Sequence, residues 1–596
     1  MSQHLLVGIT GILALGVGAH WIAWRLRLPP ILLLLTVGVV AGPVTGFIHP
    51  RALLGNLLTP IVSSSVALIL FEGGLRLKVS ELARIGNVVR NLVLIGATVT
   101  WIVTALAARY VLRLDDGLAI LVGAILVVSG PTVIAPLLRY VRPSTTIASV
   151  LRWESILIDP LGAVLAVLVY EALALGPIEQ ATARAAAIFI RIIFAGVVVG
   201  AGGAVMMIQP LKRYWIPDFL QNAVTLAAVV GVFTASNVLA RDSGLLAVTI
   251  MGITLANQKQ APVRHIMEFK ESLSILLVSS LFIVIASELK YRDFRYIGLR
   301  SLLFLAILIL VARPLAVAIS TIRSSLNWRE RLYLACMCPR GVVAASVMSV
   351  FALRLAGPGD TQAAQLVPLA FVVVMGTVII YGLAAAPMAH ALKLALPNPQ
   401  GTLIAGAGPV AQAIARSVHE QGFPTLLVDT NRANVNDAQL SGIPAYYGSI
   451  LSEDLVDRIE MHGIGRLLAL TSNDEVNSLA ALHFIEIFGR AAVFQLPPQH
   501  TDESRRQSVA PHLRGRLLFG EGCTHAWLRE QLEAGGVIKT TALTEAFDYR
   551  AFQARHGGAA VPLFLVSEGG SLNVFTTDQP LTPRPGQSII SLIPSG

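Results

Sequence analysis

The sequence predicts a polytopic, all-α membrane protein carrying a C-terminal α/β domain. Three observations lead there. Of 596 residues, 55% are hydrophobic and only 13% charged, whereas a water-soluble chain holds about a quarter charged residues. The first 396 residues run as apolar blocks of helix length, separated by basic or Pro/Gly turns. At Pro397-Asn398-Pro399 the text changes to short apolar strands, Gly-rich turns and helical stretches.

About thirteen blocks have the length a bilayer span requires: 5–24, 31–48, 58–75, 87–112, 117–138, 147–172, 184–208, 218–240, 244–257, 269–288, 297–320, 331–354 and 364–394. The first lacks a basic region ahead of it and a small-residue cleavage site, so it reads as a span and not a removed leader. Basic residues collect after odd-numbered blocks, at Arg25/Arg27, Arg76/Lys78/Arg84/Arg90, Arg139/Arg142/Arg152, Lys212/Arg213, Lys259/Arg264 and Arg323/Arg329/Arg331. The positive-inside rule puts those loops and the C-terminal domain in the cytoplasm of a cell inner membrane, with the N-terminus outside. Lys290, Arg292 and Arg295 run against this arrangement. The formal net charge of +10 belongs to such loops. No basic tract is interleaved with aromatics, which argues against nucleic acid as a partner. Cys336, Cys338 and Cys523 form neither a disulfide framework nor a zinc spacing.

Four polar or helix-breaking clusters interrupt the apolar blocks. Phe71-Glu72-Gly73-Gly74-Leu75 closes the third. Ser129-Gly130-Pro131-Thr132 sits in mid-fifth, where a missing N–H and a weak helix former should open the helix and free carbonyls and hydroxyls for an ion. Glu154, Ser155 and Asp159 lie in the sixth; Ser155 and Asp159 are i and i+4, on one helical face. Pro339-Arg340-Gly341 breaks the twelfth. Two interrupted helices in separate halves point to inverted repeats. An ionised Asp159 in mid-span costs several kcal/mol, so a carboxylate kept there binds a cation, carries a proton, or does both by turns. Arg340 needs a buried partner, and Glu154 is the natural one. Plainer readings stay open: Glu72 and Glu154 also suit span ends, Gly130-Pro131 a packing kink, and Arg313, before Pro314, a structural charge.

On F-E-x-G-L at 71–75, the G-E-S-x-x-N-D-like string at 153–159 and R-G-V-V at 340–343, the membrane half resembles the monovalent cation:proton antiporters of the NhaP and sodium/proton exchanger type. The resemblance implies that Asp159 alternates between Na⁺ or K⁺ and H⁺. It implies cation contacts from Ser155, Ser129, Thr132 and Glu72, and a structural Glu154–Arg340 pair with Arg313 nearby. Two departures stand out. The family's T-D-P is Ser129-Gly130-Pro131 here, and the Asn of its N-D pair is Ile158. With a single carboxylate placed to alternate loads, exchange should be one for one and electroneutral.

Beyond the junction, a strand at 402–405 leads into Gly406-Ala407-Gly408-Pro409-Val410-Ala411, and Asp429 ends the next strand. This is the Rossmann fingerprint: Gly406, Gly408 and Ala411 admit a pyrophosphate at a helix N-terminus, and the acid holds ribose hydroxyls. With Leu426-Leu427-Val428-Asp429-Thr430-Asn431 and the 470–477 string, residues 397–500 resemble the TrkA-N domain that regulates potassium conductance. The β-rich stretch within 501–596 resembles its companion C-terminal subdomain. The resemblance implies a homodimer and regulation by NAD(H) or an adenine nucleotide, with no cofactor required for transport.

Two rivals are weaker. A ligand-gated potassium channel would need a T-V-G-Y-G-like filter, which is missing from the text. A membrane-anchored NAD-dependent oxidoreductase would need one anchor and an acid–base pair beside the fingerprint, and the chain carries thirteen blocks and no such pair. The sequence therefore describes a secondary transporter and not an enzyme.

Overall fold

The computed structural model describes residues 2–595 apart from 27, 142, 175–177, 259, 261–263, 289–297, 356–360, 396–399, 453–454, 456–462, 500–513, 521, 557–558 and 580. Arg27, Arg142, Lys259, Lys290, Arg292, Arg295 and the Pro397-Asn398-Pro399 junction lie outside the described residues. Contacts divide the chain into two compact units, Met1–Ala395 and Leu396–Gly596.

The first unit is built from helices: α1 (Ser2–Leu26), α2 (Pro30–Val44), α3 (Ala52–Leu75), α4 (Val79–Tyr110), α5 (Asp116–Ile125), α6 (Pro131–Val141), α7 (Thr145–Ala174), α8 (Ile178–Lys212), α9 (Asp218–Leu239), α10 (Gly244–Asn257), α11 (Arg264–Ser287), α12 (Leu299–Ser320), α13 (Trp328–Ala335), α14 (Val342–Leu355) and α15 (Thr361–Ala391). Eight described helices are long and apolar enough to cross a bilayer. Beside them stand shorter apolar stretches, α2, α10 and Leu273–Ser287 of α11, and the interrupted pairs α5/α6 and α13/α14.

Both interruptions have a covalent cause. Pro131 has no N–H to offer the carbonyl of Val127, so α5 stops and α6 starts anew at the proline. Pro339 lies in the second gap, between α13 and α14. The two gaps touch. The Gly130 N–H donates to the Pro339 carbonyl at 3.1 Å. A Cβ on Gly341 would stand 2.5 Å from the Cα of Gly130, and one on Gly130 would overlap Gly341 in return. Only glycine on both sides lets these backbones meet. The gap residue that departs from T-D-P is therefore a packing requirement of this chain.

The carbonyls freed at the first gap do not stay free. Arg340 Nη1 donates to Val127 O at 2.8 Å and Val128 O at 2.9 Å, while the Arg340 N–H donates to Thr377 Oγ1 of α15 at 3.0 Å. This corrects two expectations. Arg340 does not pair with Glu154: its Nη1 is engaged at the broken end of α5, and its buried Nε has no partner. Those two carbonyls, in turn, are engaged by an arginine. Glu154 instead meets Arg313 of α12 through both carboxylate oxygens, with Nη2 donating to Oε2 at 2.9 Å and Nη1 to Oε1. Arg313 Nε donates to Leu334 O of α13 at 3.0 Å. One buried bidentate pair thus joins α7, α12 and α13.

In the second unit, β1 (Gly401–Ala405), β2 (Thr425–Asp429), β3 (Ala445–Tyr447), β4 (Ile464–Ala469), β5 (Val493–Gln495) and β6 (Arg516–Leu517) form a parallel sheet in the order β3-β2-β1-β4-β5-β6. That is the doubly wound Rossmann order. Helices α16 (Pro409–Glu420), α17 (Arg432–Leu440) and α18 (Asp474–Phe488) connect strands, and β1 is buried along its whole length, as a central parallel strand must be. An antiparallel sheet follows, β7 (Val537–Ala542), β8 (Val561–Val566), β9 (Leu572–Val574) and β10 (Ser588–Ile593), in the order β7-β10-β8-β9. The two sheets share one apolar core, with Ile404, Leu427 and Leu468 packed in a cluster with Leu563, Phe564 and Ile590. Arg466 of β4 bonds Leu572 O and Gln400 Oε1, each at 2.6 Å, and burial pulls its guanidinium down to about 10.

Gly130→Ala should destabilise the first unit by about 1–3 kcal/mol through overpacking. Glu154→Ala should cost more, about 3–5 kcal/mol, because it leaves Arg313 buried without its carboxylate. Thermal unfolding of the detergent-solubilised protein checks both; wild-type melting in either variant would contradict the geometry above.

Candidate functional site

Asp159 lies in the middle of α7 and is 1% exposed. Its Oδ1 has no hydrogen-bond partner. The segment around it is held against the first gap: a Cβ on Gly162, one turn later, would overlap the side chain of Val128. Val128, Val133, Ala163, Val343 and Val374 all belong to one apolar cluster, which gathers α7, the first gap, α6, α14 and α15. Two hydroxyls of that gap are also buried and without partners, Ser129 Oγ and Thr132 Oγ1. Buried polar atoms are nearly always satisfied; these three oxygens, on elements of one packed cluster, are not. Carboxylate and hydroxyl oxygens are hard donors, suited to Na⁺, K⁺ or a proton.

Ser155 occupies the same face one turn earlier. Its hydroxyl donates to Arg152 O at 3.1 Å, which turns the oxygen lone pairs away from that bond and leaves them able to accept. One further group was not foreseen. Pro160 cannot give an N–H to Ile156, so the Ile156 carbonyl loses its usual intrahelical donor beside Asp159. The Asp-Pro dipeptide inside an apolar helix carries that signal.

Glu72 stands apart from these groups. It is bonded to Arg76 within the last turn of α3, with Arg76 Nη2 donating to Glu72 Oε1 at 2.7 Å. Gly73, its neighbour, comes within 3.3 Å of Ile156 when given a Cβ, so this turn packs on α7 between Ser155 and Asp159. Of the three family-implied pair residues, Glu154 and Arg313 meet, and Arg340 holds the break. Among the described residues, no three His, Cys, Asp or Glu side chains gather as a coordinated metal ion would require. Ile158 is buried and apolar beside Asp159.

In the second unit, β1 ends at Ala405 and is followed by Gly406, whose φ of +102° suits glycine alone. Gly408 caps α16 at φ −70°, and a Cβ there meets nothing within 4 Å. Ala411 packs inward at 1% exposure. Asp429 at the end of β2 receives the Ala407 N–H at 2.7 Å on Oδ2 and the Asn431 N–H at 2.8 Å on Oδ1. It thereby shapes the glycine turn; Oδ2 also accepts from Asn434 Nδ2 at 3.2 Å, which leaves Oδ1 as the oxygen with a lone pair to spare. The N-terminus of α16, capped by Gly408 with open space beside it, thus lies at the carboxyl end of β1.

The family model for the sodium/hydrogen exchanger, transmembrane, matches residues 11–391, and that for the TrkA-N domain matches residues 402–495. The chain is similar to the K(+)/H(+) antiporter NhaP2 of Shewanella sp. (strain ANA-3), 27% identical over 378 residues, which cover 63% of this chain and 64% of that protein. It thus spans somewhat less than two thirds of that relative. It is also 25% identical over 362 residues to the probable Na(+)/H(+) antiporter 2 of Methanocaldococcus jannaschii, covering 59% of this chain and 85% of the other. The solved structure of the sodium proton antiporter MjNhaP1 from Methanocaldococcus jannaschii at pH 8 shares the membrane fold, with a TM-score of 0.57 at 24% identity over 65% of this chain and 99% of that one. The transmembrane match alone covers well over half of the sequence, and the chain belongs to the sodium/hydrogen exchanger family, with a TrkA-N domain after its membrane unit.

Proposed function

We propose that this protein exchanges Na⁺ or K⁺ for H⁺ across a bacterial inner membrane, with Asp159 carrying each in turn. The observation that supports this reading is the trio of buried, unpartnered oxygens, Asp159 Oδ1, Ser129 Oγ and Thr132 Oγ1, on elements packed around the glycine contact. Burial disfavours an ionised carboxylate and a bound cation favours it, so cation and proton displace one another. Either load leaves the site neutral. The empty, ionised site pays several kcal/mol to be enclosed in low dielectric. Alternating access therefore proceeds loaded and stalls empty, which couples the two fluxes. Glu154, the other acid buried in the described spans, is committed to Arg313. One free carboxylate per site implies one cation for one proton, an electroneutral cycle.

The second unit acts as the regulator in this reading. A nucleotide such as NAD(H) or an adenine nucleotide would place its phosphates at Gly406–Gly408 and its ribose at Asp429, in a dimer whose C-terminal units face the cytoplasm. The basic clusters after odd-numbered spans support that orientation.

Asp159→Asn should reduce cation-dependent pH change in proteoliposomes to that of empty vesicles while the protein still inserts and melts normally; retained exchange would sink the assignment. Gly408→Glu should fold normally, since φ −70° and open space admit a side chain. Its carboxylate should weaken nucleotide binding by at least about tenfold through charge repulsion. Isothermal titration of the full chain with NADH and ATP reads this, and unchanged affinity would place the nucleotide elsewhere or nowhere.

A further inference from the structure

We propose that Arg76 is a tethered cation that competes with the transported cation for Glu72, and so sets the apparent affinity for the transported ion. The inference rests on the exchange reading above. Three features carry it. The Glu72 side chain is 12% exposed and that of Arg76 33%, whereas Asp159 is 1% exposed, so the pair is open to exchange in a way that the buried acid is not. Glu72 also lines a small cavity of about 10 Å³ between α3, α9 and α11, with Phe71, Leu226, Ser274 and Leu277. Such a space is close to the size of one water molecule or one bare ion. Finally, the turn bearing Glu72 packs on Ile156, between Ser155 and Asp159.

A carboxylate in mostly apolar walls, with one hydroxyl nearby, is neutralised by a single positive charge. The guanidinium of Arg76 supplies that charge from the same helix. A monovalent cation that binds Glu72 must take its place. The exchange is feasible because an i,i+4 pair that is one-third exposed on its basic side is weak and solvent-screened. Arg76 can swing away without unwinding α3, since it stands at the C-cap of that helix and its side chain is one-third exposed. Divalent ions gain less here, because one carboxylate leaves them with an uncompensated charge. The plain alternative is an ion pair that only steadies the last turn of α3. The two roles differ in what they predict for cation affinity.

The test is a double-mutant cycle with Arg76→Gln, Glu72→Gln and the double variant. Half-saturating Na⁺ and K⁺ are read by dye-reported exchange in proteoliposomes and, independently of transport, by cation-induced thermal stabilisation of the purified full chain. Arg76→Gln should lower the half-saturating concentration by about two- to fivefold, the range of a partly exposed ion pair. Glu72→Gln should raise it, and adding Arg76→Gln to Glu72→Gln should change nothing further. Arg76→Lys, which keeps the charge, should stay close to wild type. Unchanged affinity in Arg76→Gln, or an Arg76→Gln effect that persists without Glu72, would overturn the proposal. Wild-type protein that shows no exchange would remove the functional reading, while the thermal measurement would still decide the competition.

Discussion

The glycine-to-glycine contact between Gly130 and Gly341 is the constraint on which the membrane unit depends. Two helices are interrupted at the depth of the bilayer, and their loose ends can exist there only if protein groups satisfy them. The contact brings each gap to the other. The Gly130 N–H finds the Pro339 carbonyl, and Arg340, adjacent to Gly341, reaches back to Val127 and Val128. A methyl group at either glycine would separate the backbones and strand these groups together.

Charge bookkeeping then singles out one residue. Arg340 neutralises the negative end of α5, whose dipole and free carbonyls attract a cation. Glu154 and Arg313 neutralise each other while fastening α7 to α12 and α13. Asp159 remains, with an oxygen that the protein does not satisfy. Native structures tolerate an orphaned buried acceptor where something else visits it. Loss of the family's polar neighbours at 130 and 158 simplifies this site to hydroxyls, a proline-freed carbonyl and one acid. In the proposed exchange so few ligands would make cation affinity depend more on access, which gives the Glu72–Arg76 turn its interest.

The second unit follows a different logic. Its parallel sheet presents the glycine turn and the N-terminus of α16 at the carboxyl ends of the strands, where open α/β sheets bind ligands. Asp429 locks that turn through the Ala407 N–H. The antiparallel sheet is not a separate bead, because its inner face completes the same core. A ligand that changes the parallel sheet would therefore be felt in the C-terminal strands.

Much of this was legible in the residues. Block length and hydropathy located the long apolar helices, of which eight among the described residues suffice to cross a bilayer, because hydrocarbon thickness dictates helix length regardless of neighbours. Gly130-Pro131 and Pro339 located both gaps, because a missing N–H acts through the chain's own covalent chemistry. Strands at 402–405, 425–428, 562–566 and 588–593 and the fingerprint between them were likewise local signals, and each appears in the folded unit. Partner choice was not local. Arg313 and Arg340 are each a cation beside a proline; the residues pointed to Arg340 for Glu154, and only the crossing of the gaps gave the carboxylate to Arg313 and the carbonyls to Arg340. The same holds for Gly130, which the text shows as a lost acid and the fold shows as a required point of backbone approach. Covalent and periodic features belong to the sequence because they act over a few residues; the pairing of buried charges belongs to the tertiary structure because it depends on which distant segments the packing brings within reach.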